Sequence, residues 1–215
     1  MRRTRTRILT RTALAAGALA AVAAFAPAAG AATTATATAP KTPAPAFLEP
    51  GDLPPHSSSP WFAQSPRHGQ PELPLFCFEE VELPAAGTWV REYHTDLDTT
   101  ARQLVVETGG TAEAQALAAE LSDAAADCAA DWLRENPGAG AAWDDYGTVD
   151  AADGGRVFGV HVAPPQAGTG VHLFGIGRDG DTVTVVVWGE MGDLAQAPVT
   201  AFKDTTATAL TKLGG

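Results

Sequence analysis

The sequence predicts an α+β fold, in which an antiparallel sheet of about five strands carries two main helices and is fastened by one disulfide. Three observations lead to this prediction. Valine-rich segments of strand length follow one another near the C-terminus, separated by turn residues. Two amphipathic segments have helical periodicity and do not alternate regularly with the strand segments. The chain also contains a single pair of cysteines.

The first 31 residues have the features of an export signal. Several arginines precede an Ala-rich apolar stretch at 13–26, and Ala29-Gly30-Ala31 offers a cleavage site. We therefore expect a signal peptide over 1–31 and a secreted protein without membrane insertion after cleavage, with an uncleaved anchor as the alternative. Residues 32–46, rich in Thr, Ala and Pro, predict a disordered linker.

Residues 47–213 have the length of one domain. Acidic residues outnumber basic ones by 25 to 14, and the formal net charge is −11. A surface of this sign repels phosphate backbones and anionic lipid headgroups, so we expect no nucleic-acid partner. The stretch 47–87 is rich in proline but also carries large apolar side chains. It therefore predicts an irregular N-terminal arm that lies over the domain.

Two strands and a long helix are the first regular elements expected. Residues 88–94 and 103–107 alternate or run apolar, and the Asp/Thr cluster between them predicts an antiparallel pair. A helix follows from Thr111, taken as its N-cap, to about Glu135. At 100° per residue its apolar residues share one face, and they are Ala114, Leu117, Leu121, Ala124, Ala125, Cys128 and Trp132.

A Gly-, Ala- and Asp-rich loop over 135–155, which holds Trp143 and Tyr146, is expected to follow the helix. After the loop the sequence predicts a three-strand meander and a closing helix that runs from about Pro198 to Leu213. The predicted strands cover 156–163, 170–178 and 181–188.

Gly175, Gly177 and Gly180 match the pattern GxGxxG between the last two predicted strands. The dinucleotide-binding fingerprint requires that a helix follows these glycines, whereas here a valine-rich strand follows them. The pair Asp179-Gly180 therefore predicts a two-residue hairpin turn instead.

Pairing residues across the predicted turns places His161 opposite His172. Two facing imidazoles could share a divalent metal, but no third ligand is identified, and exposed or hydrogen-bonded histidines are the alternative. We assign no metal and no cofactor.

The same pairing puts apolar side chains on both faces of the meander. The two helices could cover one face, so the other must be covered by the arm, a helix, a partner or a ligand. We expect a ligand-binding groove on the less covered face, near Phe158, Trp188, Trp143 and Tyr146.

Cys77 and Cys128 are expected to form a disulfide, because export places them in an oxidising compartment. A redox or nucleophilic thiol is the alternative, although the sequence has no CxxC motif. The patterns GxSxG, SxxK and HExxH and any calcium-loop pattern are also missing, so no catalytic residue is assigned.

The order of these parts resembles the PknH-like extracellular sensor domain of actinobacteria. The resemblance covers 47–213 and is carried by the stalk, "LEPGDLP" at 48–54, a Cys before the first strand, "CAADW" at 128–132, the meander and the closing helix. It implies an antiparallel sheet with helices on one side, a cleft that holds an unidentified ligand, and Cys77–Cys128 as a structural disulfide. Some members of that family are the extracellular domains of receptor kinases, and others are freestanding secreted or lipid-anchored proteins.

Together these features predict a secreted, non-enzymatic ligand-binding or sensor-like domain, whose partner is an unknown small molecule or extracellular protein. The alternative is a secreted protein-interaction or inhibitor module that presents the loop at 135–155. An enzyme ranks third, with His161 and His172 as its best candidate residues.

Overall fold

A computed structural model describes residues 43–214. The predicted signal peptide, 1–31, and most of the predicted linker, 32–46, lie outside the described residues. Between residues 43 and 214, no helix is both long and apolar enough to cross a membrane.

The sheet is antiparallel and has eight strands. They are β1 (Phe62–Ala63), β2 (Arg67–His68), β3 (Thr88–His94), β4 (Thr100–Glu107), β5 (Gly140–Val149), β6 (Gly155–Ala163), β7 (Gly170–Asp179) and β8 (Thr182–Met191). Their spatial order is β1-β3-β4-β8-β7-β6-β5, and β2 also pairs with β3. The helices are α1 (Thr111–Glu135), with Gly110 rather than Thr111 as its N-cap, and α2 (Val199–Leu213).

The predicted fold class is confirmed, but the count of about five strands is wrong. The predicted loop at 135–155 contains β5, which pairs with β6 along its whole length and has a bulge between Asp145 and Gly147. Two short strands, β1 and β2, pair with the outer edge of β3. Because β5 is an edge strand with mostly exposed side chains, its sequence carries no apolar alternation.

The two helices cover opposite faces of the sheet, whereas the family resemblance implied helices on one side. The face under α1 is formed by Val90, Leu104, Phe158, Val160, Phe174, Ile176, Val183 and Val185. The face under α2 is formed by Tyr93, Ala101, Val157, Val171, Leu173, Val186 and Trp188. We call them the α1 face and the α2 face. Since both are apolar, each requires a helix of its own.

The predicted register between β6 and β7 is wrong by one residue. Val162 pairs with Gly170, and His161 therefore stands opposite Val171 rather than His172. A one-residue shift reverses which side chains share a face, so the two histidines lie on opposite faces of the sheet. The hairpin between β7 and β8 is confirmed, although its two turn residues are Gly180 and Asp181.

The N-terminal arm crosses the β3 edge from one face to the other. Its first part places Leu48, Leu53 and Trp61 in the core of the α2 face. Its second part places Leu75 and Phe78 in the core of the α1 face. The predicted disulfide is confirmed: Cys77 in the arm is bonded to Cys128 in α1, with their Cα atoms 5.2 Å apart.

Candidate functional site

The candidate site lies on the α1 face beneath a segment of the arm, residues 70–83, which we call the strap. Leu75 and Phe78 anchor the strap in the core, and the disulfide anchors Cys77 to α1. Cys77 has a φ of 72°, a left-handed conformation that costs a residue with a side chain about 1–2 kcal/mol. The tertiary anchors therefore hold a locally unfavourable backbone over the sheet.

Two cavities open beside Pro74 and Leu75, which line both of them. The polar cavity, which we name for the hydrogen-bonding side chains on its floor, has a volume of about 430 Å³ and lies between the strap and strands β3, β4, β7 and β8. The apolar cavity has a volume of about 420 Å³ and lies between the strap, α1 and the sheet. Small-molecule sites generally have volumes of about 300–1,000 Å³, so either cavity is large enough for a ligand.

One transverse row of the sheet forms the floor of the polar cavity. The strand register places His94, Thr100, Gly189 and His172 side by side on β3, β4, β8 and β7. Gly189 leaves this row open, because a Cβ there would lie only 2.8 Å from Nδ1 of His172 and the imidazole would have to shift. The missing side chain makes room for the imidazole on the surface of the sheet.

His172 faces the polar cavity as an unpaired, neutral imidazole. Its ring lies 4.5 Å from that of Phe76, centroid to centroid, and burial lowers its pKa to about 4. Neither ring nitrogen has a hydrogen-bond partner within residues 43–214. Every fully buried side-chain nitrogen or oxygen in that range does have a partner, so the two ring nitrogens of His172 are not fully buried. Both nitrogens therefore retain access to the cavity, where they offer one donor and one acceptor.

Two arginines share one carboxylate beside the polar cavity. Oε1 of Glu92 on β3 lies 3.2 Å from Nη2 of Arg102 on β4 and 3.9 Å from Nη2 of Arg67 on β2. Nη1 of Arg102 also donates to the carbonyl of Leu73 in the strap, at 3.0 Å. The strap is thus attached to a charged group of the cavity wall.

The apolar cavity is closed by the two ends of the strap. The Gln70 amide donates to the Leu83 carbonyl at 2.6 Å. Its apolar lining side chains are Leu75, Phe78, Val81, Leu83, Leu104, Leu121 and Val185. Glu79 and Glu82 also line the cavity.

The structure does not bring the four predicted groove residues together. Trp143 and Phe158 belong to the α1 face: Trp143 is 46% exposed on the edge strand β5, and Phe158 is buried in the core. Tyr146 and Trp188 pack on the α2 face, and Trp188 lines a smaller cavity there of about 190 Å³. None of the four lines the polar or the apolar cavity. Their part in ligand binding stays a prediction.

Sequence reasoning selected His172, but as the partner of His161, and it missed Glu92, Arg102 and the strap. Glu92 and Arg102 are charged residues on otherwise apolar strands. Such residues usually point to solvent, so the sequence pattern did not mark them as part of a site. Gly189 was the stronger signal, because a glycine within a valine-rich strand indicates that another group approaches the backbone closely.

Within residues 43–214, no group of three or more His, Cys, Asp or Glu side chains has the arrangement of a metal site. The polar cavity instead combines the hydrogen-bonding groups of Thr100 and His172 with the Arg102–Glu92 ion pair and apolar residues of the strap. Such a lining suits non-covalent binding of an organic molecule.

Comparison with known proteins shows one structural similarity. No protein-family model matches the chain, and no curated protein matches it significantly. The crystal structure of the extracellular domain of PknH from Mycobacterium tuberculosis is similar over 75% of this chain and 96% of that chain, with 12% identity and a TM-score of 0.42. A TM-score this low supports no conclusion about function, and membership of the PknH-like family stays a prediction.

Proposed function

We propose that this chain is an exported, non-enzymatic, sensor-like domain that binds a small molecule in the polar cavity beneath the strap. The imidazole of His172, which opens on this cavity and has no hydrogen-bond partner within residues 43–214, carries the proposal. A ligand in this cavity can hydrogen-bond to both ring nitrogens, because a neutral imidazole offers one donor and one acceptor.

Two further features support the proposal. The Cys77–Cys128 disulfide supports export, because disulfides persist in oxidising compartments. The described residues that line the two cavities include no Ser, Cys or Lys side chain, so covalent catalysis by these three residue types has no candidate there. Both features favour a binding domain outside the cytoplasm.

Native mass spectrometry of the purified protein, followed by a thermal-shift screen of a broad compound library, tests the proposal. A ligand at 100 times its Kd stabilises the folded state by about 2.7 kcal/mol. For a domain of this size each kcal/mol raises Tm by about 2–4 °C, so we expect shifts of about 5–10 °C.

Blocking the cavity identifies where such a ligand binds. Thr100 is exposed and lines the polar cavity, so we expect Thr100→Trp to fill it and to lower ligand affinity at least tenfold. Thr211→Trp, at an exposed position on α2, is the matched control and should leave affinity unchanged. The absence of any co-purifying or stabilising molecule, or equal binding by the Thr100→Trp variant, would overturn the proposal.

A protein-interaction or inhibitor role was the alternative predicted from the sequence. Its candidate loop, 135–155, is largely strand β5. No specific observation now favours that role over ligand binding.

A further inference from the structure

We propose that the polar cavity binds an organic monoanion, in which a carboxylate is attached to an apolar body. This inference rests on the proposed function and adds the chemical class of the ligand. It follows from the distribution of charge around the cavity, from the unused donors of Arg102 and from the apolar part of the cavity wall.

Ion pairing along the described chain leaves an excess of positive charge at this place. Six cations lie elsewhere in residues 43–214. Five of them each face a carboxylate of their own, in the pairs Arg91–Glu49, Arg134–Asp131, Arg156–Asp145, Arg178–Asp153 and Lys212–Asp52, and Lys203 forms no ion pair in that range. Arg67 and Arg102, in contrast, share Glu92. Glu92 and Arg102 line the polar cavity, whereas Arg67 does not and reaches it only through Glu92. The three side chains together have a net charge of +1 in a chain whose formal net charge is −11. A bound anion would neutralise it.

Arg102 is positioned to receive that anion. Its Nη1 is held by the Leu73 carbonyl and its Nη2 by Glu92. A guanidinium has five N–H donors in a planar fork, so donors remain for a ligand oxygen. Thr100 and His172 line the same cavity and add a hydroxyl and an imidazole N–H. These donors suit the two oxygens of a carboxylate.

The rest of the wall requires an apolar body on the ligand. Leu73, Phe76 and Val187 line the polar cavity, and Leu73 is 70% exposed. An inorganic anion would leave these side chains uncovered. A neutral sugar would place hydroxyls against them and would leave the excess positive charge uncompensated. A carboxylate with an alkyl or aryl body satisfies both parts of the wall.

Titration calorimetry with matched probes tests the inference. The probes are octanoate and 3-phenylpropanoate, each compared with its methyl ester, which has the same body without the charge. We expect the wild-type protein to bind each carboxylate at least tenfold more tightly than its ester. Arg102→Gln should remove this preference, and Arg134→Gln, which alters an exposed pair on α1, should retain it.

Glu92→Gln provides a second variant whose expected effect has the opposite sign. It removes the carboxylate that the two arginines share, so we expect carboxylate probes to bind about three- to tenfold more tightly and the esters to bind unchanged. This result does not depend on whether Arg102→Gln folds. Equal binding of acids and esters by the wild type, or weaker binding of acids by Glu92→Gln, would overturn the inference.

Failure of this inference can be told apart from failure of the proposed function. If the thermal-shift screen finds only neutral or cationic ligands, and Thr100→Trp excludes them, the ligand class is wrong and the binding site stands. If neither the screen nor the probes bind, both proposals fail.

Discussion

At the scale of single residues, His172 makes the stability of the fold depend on pH. An ordinary imidazole has a pKa of 6.5, whereas burial lowers the pKa of His172 in the folded protein to about 4. Between these values the unfolded chain binds a proton that the folded chain does not, so the free energy of unfolding falls as the pH falls. At 1.36 kcal/mol per pKa unit, we expect a loss of about 3 kcal/mol by pH 4.

Urea unfolding at pH 7 and pH 4.5 measures this effect. We expect the stability difference between the two pH values to be about 2 kcal/mol smaller in His172→Gln than in the wild type. His94→Gln, which alters an exposed histidine in the same row of the sheet, is the control and should behave as the wild type. Glu92 and Arg102, the charged side chains that line the same cavity, are unchanged in both variants. Equal pH dependence in His172→Gln and the wild type would contradict the assignment.

The pairing around His172 also shows why sequence reasoning placed His161 and His172 opposite each other. The composition and strand length of β6 and β7 were predicted well, but the connection has seven residues, 163–169, between the paired Val162 and Gly170. The prediction assumed six. Side chains alternate between faces, so one extra residue reverses the face of every partner. The local sequence "PPQAGT" does not indicate whether six or seven residues of the connection are left unpaired.

At the scale of elements, two glycines of β7 allow α2 to approach the sheet. A Cβ at Gly175 would overlap the side chain of Thr206, and a Cβ at Gly177 would lie 2.7 Å from Cδ2 of Leu210. Overpacking of this kind typically costs about 1–3 kcal/mol. We therefore expect Gly175→Ala to lower the free energy of unfolding by that amount, as measured by urea denaturation.

A double-mutant cycle tests whether the contact with α2 is the cause. Thr206→Ala removes Oγ1 and Cγ2, the two atoms nearest to a Cβ at Gly175, and keeps the Thr206 Cβ at 3.1 Å, so part of the lost stability should return in the Gly175→Ala/Thr206→Ala variant. Gly51→Ala is the control, since a Cβ at that position meets no atom within 4 Å. If Gly175→Ala costs no more than Gly51→Ala, the close approach does not require a glycine.

Element prediction from the sequence succeeded where one face of an element is buried. The helix α1 has the predicted bounds, because its apolar face produces a strong period. Strand β5 has the burial pattern of an edge strand and carries Asp144 and Asp145, so nothing in its composition marks it as a strand. It forms because β6 offers a row of backbone hydrogen bonds, which is a tertiary cause.

At the scale of the whole molecule, one covalent bond connects the strap to the helix that covers the sheet. The Cys77–Cys128 bridge closes a loop with a sequence separation of 51. In the chain-entropy model such a loop contributes about 4 kcal/mol to stability. A domain is typically stable by about 5–15 kcal/mol, so this bond supplies a large share of the total. It also fixes the strap beside both cavities.

Two double variants separate the contribution of the bond from that of the backbone at Cys77. Cys77→Ala/Cys128→Ala should lower the free energy of unfolding by about 4 kcal/mol. Cys77→Gly/Cys128→Ala should lose about 1 kcal/mol less, because glycine adopts the φ of 72° without the steric cost that alanine has. Guanidinium denaturation of both variants and the wild type measures the two effects. Since the strap also connects to Arg102 through the Leu73 carbonyl, both variants should bind carboxylate probes more weakly than the wild type. Unchanged stability after loss of the bridge would show that the core alone holds the strap in place.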